Sequence, residues 1–320
     1  MQGKIKIFSG SAHRTLAKGI CEHLGLNLGQ ATLSRFPNGE IFVQIQENIR
    51  GADVFLVQPM ADPINFHLME LFIMIDAARR ASAERITAVI PFYAYARQDR
   101  KDRPRVPITS KLIANLLVSS GANRLLTMEL HAQQIVGFFD LPVDHLYASP
   151  IFFEYLKTKA YSKKDLCVFS PDLGGIKRAT AYADFLGCSV GMIAKRRLNA
   201  RDVEVLNVIG NAQDKYVILV DDISDTGNTL ISAAQTLKRQ GARGVIAMIA
   251  HPITSQETID KLSQGDLDEL VMTDSLPTGS LDWSHACPHT TLSVAKLFAE
   301  AILRIHTEQS ISELFSVKGF

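Results

Sequence analysis

The chain has few cysteines, almost no net charge and no long apolar run. Its four cysteines, Cys21, Cys167, Cys188 and Cys287, stand far apart in 320 residues and form no Cys-x-x-Cys pair. That argues against a disulfide framework and fits reduced, mostly buried thiols in a cytoplasmic protein. The net charge is +1 at pH 7, so no global field draws the chain to nucleic acid or to a membrane surface. Any anion site must therefore be built from local basic clusters. No segment approaches the roughly 18 to 20 apolar residues of a bilayer span. Residues 1–8 lack the apolar core and cleavage site of a signal peptide. No low-complexity stretch is present.

A hydrophobic content of 47% and a charged content of 21% belong to a soluble globular protein, and 320 residues suggest two domains. Short apolar runs at 5–8, 54–57, 88–91, 125–127, 167–170, 190–194, 217–220 and 245–250 alternate with helix-like spacing at 66–80, 110–120 and 229–240. Alternating β and α elements imply mainly parallel sheets flanked by helices, an α/β fold.

An internal repeat sharpens this reading. Residues 54–57 and the loop after them align with 217–220 at a constant offset of 163, and 79–91 align with 238–250 at an offset of 159. The first copy of this strand–loop–helix–strand unit should have a helix about one turn longer. Where the second copy has paired acids and a glycine, the first has Gln58-Pro59 and Asp62-Pro63. The two halves are expected to share a duplicated fold with one active loop. The join is placed near Pro150, giving domains at 1–149 and 150–305. Val294, Leu297, Phe298, Ala301, Ile302 and Ile305 mark the face of a last helix, and 306–320 form a tail.

The most chemical stretch is 217–230. An apolar strand runs into Asp221-Asp222-Ile223-Ser224-Asp225-Thr226-Gly227-Asn228-Thr229, followed by a helix. Ligands of open α/β sheets bind at strand carboxyl ends. Carboxylates suit ribose hydroxyls, and backbone N–H groups at a helix start suit a phosphate. Gly227 lets the chain approach an anion closely, and Thr226 and Thr229 add hydroxyl donors. An acidic N-cap turn would explain one Asp, but not three acids with two threonines and a glycine.

Other stretches are less specific alone. Arg97, Arg100, Lys101, Arg103 and Arg105 put five cations in nine residues, beside Phe92, Tyr93 and Tyr95. That is either a solvated loop or a set of charge partners for a triphosphate. Asp172-Leu173-Gly174-Gly175 follows a strand and reads as a plain turn or one that admits a diphosphate. Lys195, Arg196, Arg197 and Arg201 form either a solvated charge run or a cationic loop able to close over a reacting phosphate.

Taken together, these stretches resemble one family. The 221–229 loop is similar to the signature of the phosphoribosyltransferase-type fold. Arg35 to Glu40, Tyr95 to Asp99, Glu129 to Gln134, Ser170 to Gly175, Lys195 to Arg197 and Ser310 to Ser312 resemble, in order, the ATP-dependent, phosphate-regulated class of ribose-phosphate diphosphokinases. The resemblance covers nearly the whole chain. It implies two tandem phosphoribosyltransferase-type domains and transfer of the diphosphoryl group of ATP to the C1 hydroxyl of ribose 5-phosphate.

By that resemblance Lys195 and Arg197 are catalytic. Arg197, Asp221, Asp222, Asp225, Thr226, Gly227, Asn228 and Thr229 hold ribose 5-phosphate. Phe36, Asn38, Gly39, Glu40, Arg97 and Gln98 contact ATP, with the 36–40 loop reaching a neighbouring subunit's ATP. His131 and Asp172 hold Mg²⁺. Arg50, Ser82, Ser310 and Ser312 fall on stretches where the family takes phosphate as activator and ADP as inhibitor, and the implied assembly is a homohexamer. Asn228, Leu173, Pro37-Asn38, Pro104 and Asn48 depart from the usual family residues without removing a group the reaction needs. Two rival readings are a phosphoribosyltransferase that consumes the diphosphate and a catalytically silent regulatory subunit. The second domain and the Arg97-Gln98 cluster argue against the first, and His131, Asp172, Lys195, Asp221 and Thr229 argue against the second.

Overall fold

A computed structural model of the chain describes residues 3–159, 161–197, 203–253, 255–263, 265–279 and 281–314, without the side chains of 195–197 and 203–206. These residues divide into two compact units. The first takes residues up to 147 together with 275–277 and 293–314, and the second takes 148–274 and 278–292.

In the first unit the chain runs β1 (Ile5–Ser9), α1 (Arg14–Leu24), β2 (Ala31–Arg35), β3 (Ile41–Ile45), β4 (Asp53–Val57), α2 (Ile64–Arg80), β5 (Arg85–Ile90), α3 (Thr109–Ser120), β6 (Arg124–Met128) and β7 (Val143–Leu146). Among the described residues, five of these strands form a parallel sheet in the order β1-β4-β5-β6-β7. Strands β2 and β3 pair apart from it as an antiparallel hairpin. Every residue of β4 is buried, as a parallel strand covered on both faces requires.

The second unit runs α4 (Ser149–Thr158), β8 (Leu166–Ser170), α5 (Ile176–Leu186), β9 (Ser189–Arg197), β10 (Val203–Ile209), β11 (Tyr216–Ser224), α6 (Asn228–Arg239), β12 (Gly244–Pro252), α7 (Gln256–Ser263), β13 (Glu269–Thr273) and β14 (His289–Leu292). Its sheet order is β10-β9-β8-β11-β12-β13-β14. The run β8-β11-β12-β13-β14 is parallel and repeats the order of the first sheet. Strand β9 adds in parallel to β8, and β10 turns back antiparallel on β9.

The duplication is exact in register. Asp53 lies opposite Arg85 in the first sheet, and Tyr216 opposite Gly244 in the second, the same positions under the two sequence offsets. The length difference sits in the helices, 17 residues in α2 against 12 in α6. Helix α6 buries Leu230, Ala233, Ala234 and Leu237 against its sheet, the i, i+3, i+4, i+7 stripe of an amphipathic helix.

The ends of the repeats exchange partners. Helix α4 follows the first unit's last strand but packs in the second, where Phe152 and Phe153 meet Tyr182 of α5 at centroid distances of 6.4 and 4.9 Å. The last helix, α8 (Ala295–His306), follows β14 but belongs to the first unit and packs on α1. There Gly19 comes so near that an added Cβ would lie 3.1 Å from Ala295 Cβ. The second unit therefore does not run to residue 305 as the sequence expectation had it. A strong apolar face on α8 was legible, but which surface it covers is a matter of packing.

The far end of α8 is pinned by charge. Asp53, 4% exposed, accepts from Arg85 Nε at 2.9 Å and again from Arg85 Nη2. Arg85 Nη2 also donates to the Ile305 carbonyl at 3.1 Å, and His306 Nδ1 lies 2.9 Å from Asp53 Oδ2. The cysteines are free thiols, with Cys21, Cys167 and Cys287 buried and Cys188 half-buried. Burial pushes the Cys21 thiol up to about 11 and the Cys167 thiol up to about 12, which leaves both inert. Among the described residues no helix is long and apolar enough to cross a membrane.

Candidate active site

The second unit's site begins where β11 leaves its buried core. Residues 217–220 are buried, and Asp221 and Asp222 emerge at the carboxyl end of the strand. Arg178 of α5 faces both: its Nη1 is 3.2 Å from Asp222 Oδ1 and 3.6 Å from Asp221 Oδ1. Burial, and then the charge of Asp222, push the Asp221 carboxyl well above its ordinary range, while Arg178 pulls it down.

The loop that follows is buttressed by α7. Thr258 Oγ1 donates to the Asp225 carbonyl at 2.9 Å. Gly227 has φ +71°, and an added Cβ would lie 3.1 Å from Thr258 Cγ2, so both backbone conformation and space call for glycine. Helix α6 starts at Asn228, and its N-cap residue is Gly227, which has no side chain to cap it. A helix start with N–H groups exposed to a ligand carries partial positive charge. Asp225, Thr226 and Asn228 are exposed, whereas Gly227 is buried.

After β8, Asp172 Oδ1 accepts from the backbone N–H of Gly174 at 2.8 Å and of Gly175 at 3.1 Å. Ser170 Oγ donates to the Asp172 carbonyl at 2.6 Å, and an added Cβ on Gly175 would fall 2.6 Å from that hydroxyl. This self-bonded turn commits Oδ1 and leaves Oδ2 for a ligand. The main chain of Lys195 and Arg197 lies on β9, opposite Val205 and Val203 of β10. Their side chains lie outside the described residues, as do Asn199, Ala200 and Arg201 altogether.

In the first unit the hairpin turn carries Phe36, Asn38, Gly39 and Glu40. Gly39 N–H donates to the Phe36 carbonyl at 2.8 Å, and Glu40 N–H to Asn38 Oδ1 at 3.2 Å. Phe36 is 51% exposed, with its ring against Phe42 at 5.9 Å. Arg35, 3.6 Å above the Phe66 ring, ties this hairpin to α2.

Arg97 and Gln98 follow β5 and are exposed. His131, also exposed, follows β6. The two segments meet through Gln134 Nε2, which donates to Asp99 Oδ2 at 3.0 Å. His145 Nε2 accepts from the Leu130 N–H at 2.9 Å and steadies the turn into His131.

The first unit's copy of the phosphate loop is plugged. Gln58 holds the place of Asp221 under the offset of 163 and is fully buried. Its Nε2 donates to Glu70 Oε1 at 2.6 Å, and its Oε1 accepts from the Ala12 N–H at 3.1 Å. Glu70 Oε1 also accepts from Ser11 N–H and Oγ at 2.7 and 2.8 Å. Protein groups thus satisfy Gln58 from within the first unit.

Of the four expected effector residues, Arg50 and Ser82 lie just before the starts of β4 and β5, and Ser310 and Ser312 lie in the tail after α8. The Gly51 N–H, next to Arg50, donates to the Ser82 carbonyl at 2.9 Å. The pinned end of α8 leads into a tail where Ser310 Oγ lies 2.7 Å from Ser312 Oγ and Arg304 Nη1 donates to the Ser310 carbonyl at 2.7 Å.

Sequence reasoning missed Arg178, Thr258 and the Gln58–Glu70 plug. A lone arginine three residues past a glycine turn carries no signal without the adjacent strand in place. Among the described residues no three or more His, Cys, Asp or Glu side chains are grouped to hold a metal.

Residues 5–121 match the model of the N-terminal domain of ribose phosphate pyrophosphokinase, and residues 194–316 match the phosphoribosyl synthetase-associated domain. The chain is 48% identical over 312 residues to the ribose-phosphate pyrophosphokinase of Helicobacter pylori strain J99, covering 97% of this chain and 96% of that one. It is 49% identical to that of Rhizobium meliloti over 97% of this chain and 100% of the relative. In structure it is similar to phosphoribosylpyrophosphate synthetase from Mycobacterium smegmatis, with a TM-score of 0.88, 38% identity, and coverage of 95% and 99% of the two chains.

Proposed function

The chain belongs to the ribose-phosphate pyrophosphokinase family and makes 5-phosphoribosyl 1-diphosphate and AMP from ribose 5-phosphate and ATP; from that premise we propose how its own residues carry the reaction. The start of α6, with Asp225, Thr226, Gly227, Asn228 and Thr229, takes the 5-phosphate. Its support is a helix start whose N-cap residue is a glycine with φ +71°, placed directly after the acids of β11. Asp221 and Asp222 accept hydrogen bonds from the ribose hydroxyls and thereby orient the sugar. The C1 oxygen then forms a bond to the β-phosphorus of ATP as its hydroxyl proton passes to water, and the bond from that phosphorus to the α–β bridging oxygen breaks. The electron pair leaves on AMP.

Such a transfer needs in-line placement and neutralised charge more than covalent help from the protein. Lys195 and Arg197 supply positive charge on the diphosphoryl group as it moves, and Arg197 also meets ribose 5-phosphate. Arg97 and Gln98 bind ATP in the first unit, and the loop of Phe36, Asn38, Gly39 and Glu40 does so on a neighbouring copy, consistent with its exposed aromatic ring. Magnesium, when bound, neutralises phosphate charge. Asp172 of the second unit and, separately, His131 of the first are each proposed as a protein ligand that would hold it. A homohexamer, with phosphate and ADP acting at Arg50, Ser82, Ser310 and Ser312, completes the reading.

The arrangement that carries most weight is the acid pair ahead of a glycine-led helix start, where the first unit has the buried Gln58 in place of Asp221. AMP release from ATP and ribose 5-phosphate tests the residue roles. Lys195→Ala should lower kcat by about 100-fold or more while ribose 5-phosphate still binds. Wild-type turnover in that variant would remove Lys195 from the mechanism.

A further inference from the structure

Arg178 stands where two parts of the second unit's site meet. It is the third residue of α5, directly after the turn of Asp172 to Gly175. Its Nη1 lies 3.2 Å from Asp222 Oδ1 and 3.6 Å from Asp221 Oδ1, and an added Cβ on Gly175 would sit 3.9 Å from the same nitrogen. One guanidinium therefore borders both the turn that suits a diphosphate and the acids that suit a ribose. All three side chains are largely shielded, at 16% exposure for Arg178, 13% for Asp221 and 7% for Asp222.

We propose that Arg178 is a positioning residue for ribose 5-phosphate: it holds the Asp221–Asp222 pair in one orientation, as a charged acceptor for the sugar's hydroxyls. The inference rests on the reading that these two acids hold the ribose, and it gives Arg178 no contact with the substrate. Two adjacent carboxylates repel each other, and burial strengthens that repulsion. Left alone they would rotate apart or take up a proton, and either change spoils a two-point grip on vicinal hydroxyls. A cation bonded to one and close to the other opposes both escapes. Other charged or titratable groups border the pair. Asp172 adds negative charge from the turn after β8, Asp225 lies in the loop itself, and His251 of β12 pairs in register with Ile223. Arg178 lies within 3.6 Å of an oxygen of each acid.

A purely structural arginine would affect folding and all substrates alike. The discriminating experiment is steady-state kinetics on the full chain with Arg178→Gln, Arg178→Lys and Asp222→Asn, using ribose 5-phosphate and 2-deoxyribose 5-phosphate. Arg178→Gln should raise KM for ribose 5-phosphate about 10-fold or more and leave KM for ATP within about twofold, since a hydrogen bond to a charged group is at stake. Arg178→Lys should recover part of the loss. Preference for ribose over deoxyribose should narrow in Arg178→Gln.

An unchanged KM for ribose 5-phosphate, or an equal rise in both KM values, overturns the proposal. If Arg178→Gln does not fold, Arg178→Lys decides: a selective rise in ribose 5-phosphate KM supports the role, and a wild-type KM ends it. The underlying reading fails separately. If Asp222→Asn keeps a normal KM and the wild type does not distinguish ribose from deoxyribose, the acids are not the ribose grip, whatever Arg178 does.

Discussion

Asp221 shows how a single residue trades stability for use. Its carboxyl is raised above the ordinary range by burial and by Asp222. For an acid whose folded pKa exceeds its unfolded one, the stabilising contribution is full below the unfolded pKa and disappears as pH rises through the folded one. The group therefore contributes less to stability at pH 8 than at pH 4. Asp221→Asn is expected to raise the thermal midpoint at pH 8 by about 2 °C or more, with little gain at pH 4, and to abolish binding of ribose 5-phosphate. Scanning calorimetry at the two pH values, with titration of the sugar phosphate, checks both halves. The acid pair itself was legible in the sequence, because three acids beside a glycine at a strand end have few structural uses. Arg178 was not, because its meaning depends on α5 lying beside β11.

Among the elements, the loop between β11 and α6 depends on a neighbour distant in sequence. Thr258 of α7 holds the Asp225 carbonyl and packs where a Gly227 side chain would go. Gly227→Ala meets both a positive φ and that methyl, so it should raise KM for ribose 5-phosphate about 10-fold with a smaller effect on ATP. Kinetics for the two substrates separate local distortion from general damage. In the first unit, Gly10→Ala would drive a Cβ to within 2.2 Å of Gln58 Oε1 and open the plug. The expected cost is about 1–3 kcal/mol of stability, measurable by denaturant unfolding. The glycine at 227 announced its role in the sequence. Gln58, Glu70 and Ser11 read as unrelated residues until α2 and β1 brought them together.

Across the whole molecule, the notable feature is the exchange of terminal helices. Phe298, Ala301, Ile302 and Ile305 of α8 are buried in the first unit, not in the unit whose chain they end. A chain stopped at residue 292 should therefore lose protection in α1, β1 and β4 while β11 and β12 keep theirs. Hydrogen exchange resolved by segment tests this, and loss confined to the second unit would contradict it. The duplication was readable because a fixed offset preserves apolar strands and helix length. The exchange was not, because an amphipathic face states that a helix is covered without stating by what.

The order of elements, the duplicated α/β plan and the run of acids and glycine between β11 and α6 were determined by the sequence itself. Strand periodicity, offset and the acid–glycine spacing are local properties that survive without coordinates. Tertiary structure alone decided that Gln58 and Glu70 close the first unit's copy of the loop, that Arg178 borders the acids of the second, and that α8 covers α1. Each of these is a contact between residues far apart in the chain. Such contacts are set by how sheets and helices fill space, and no local pattern encodes them.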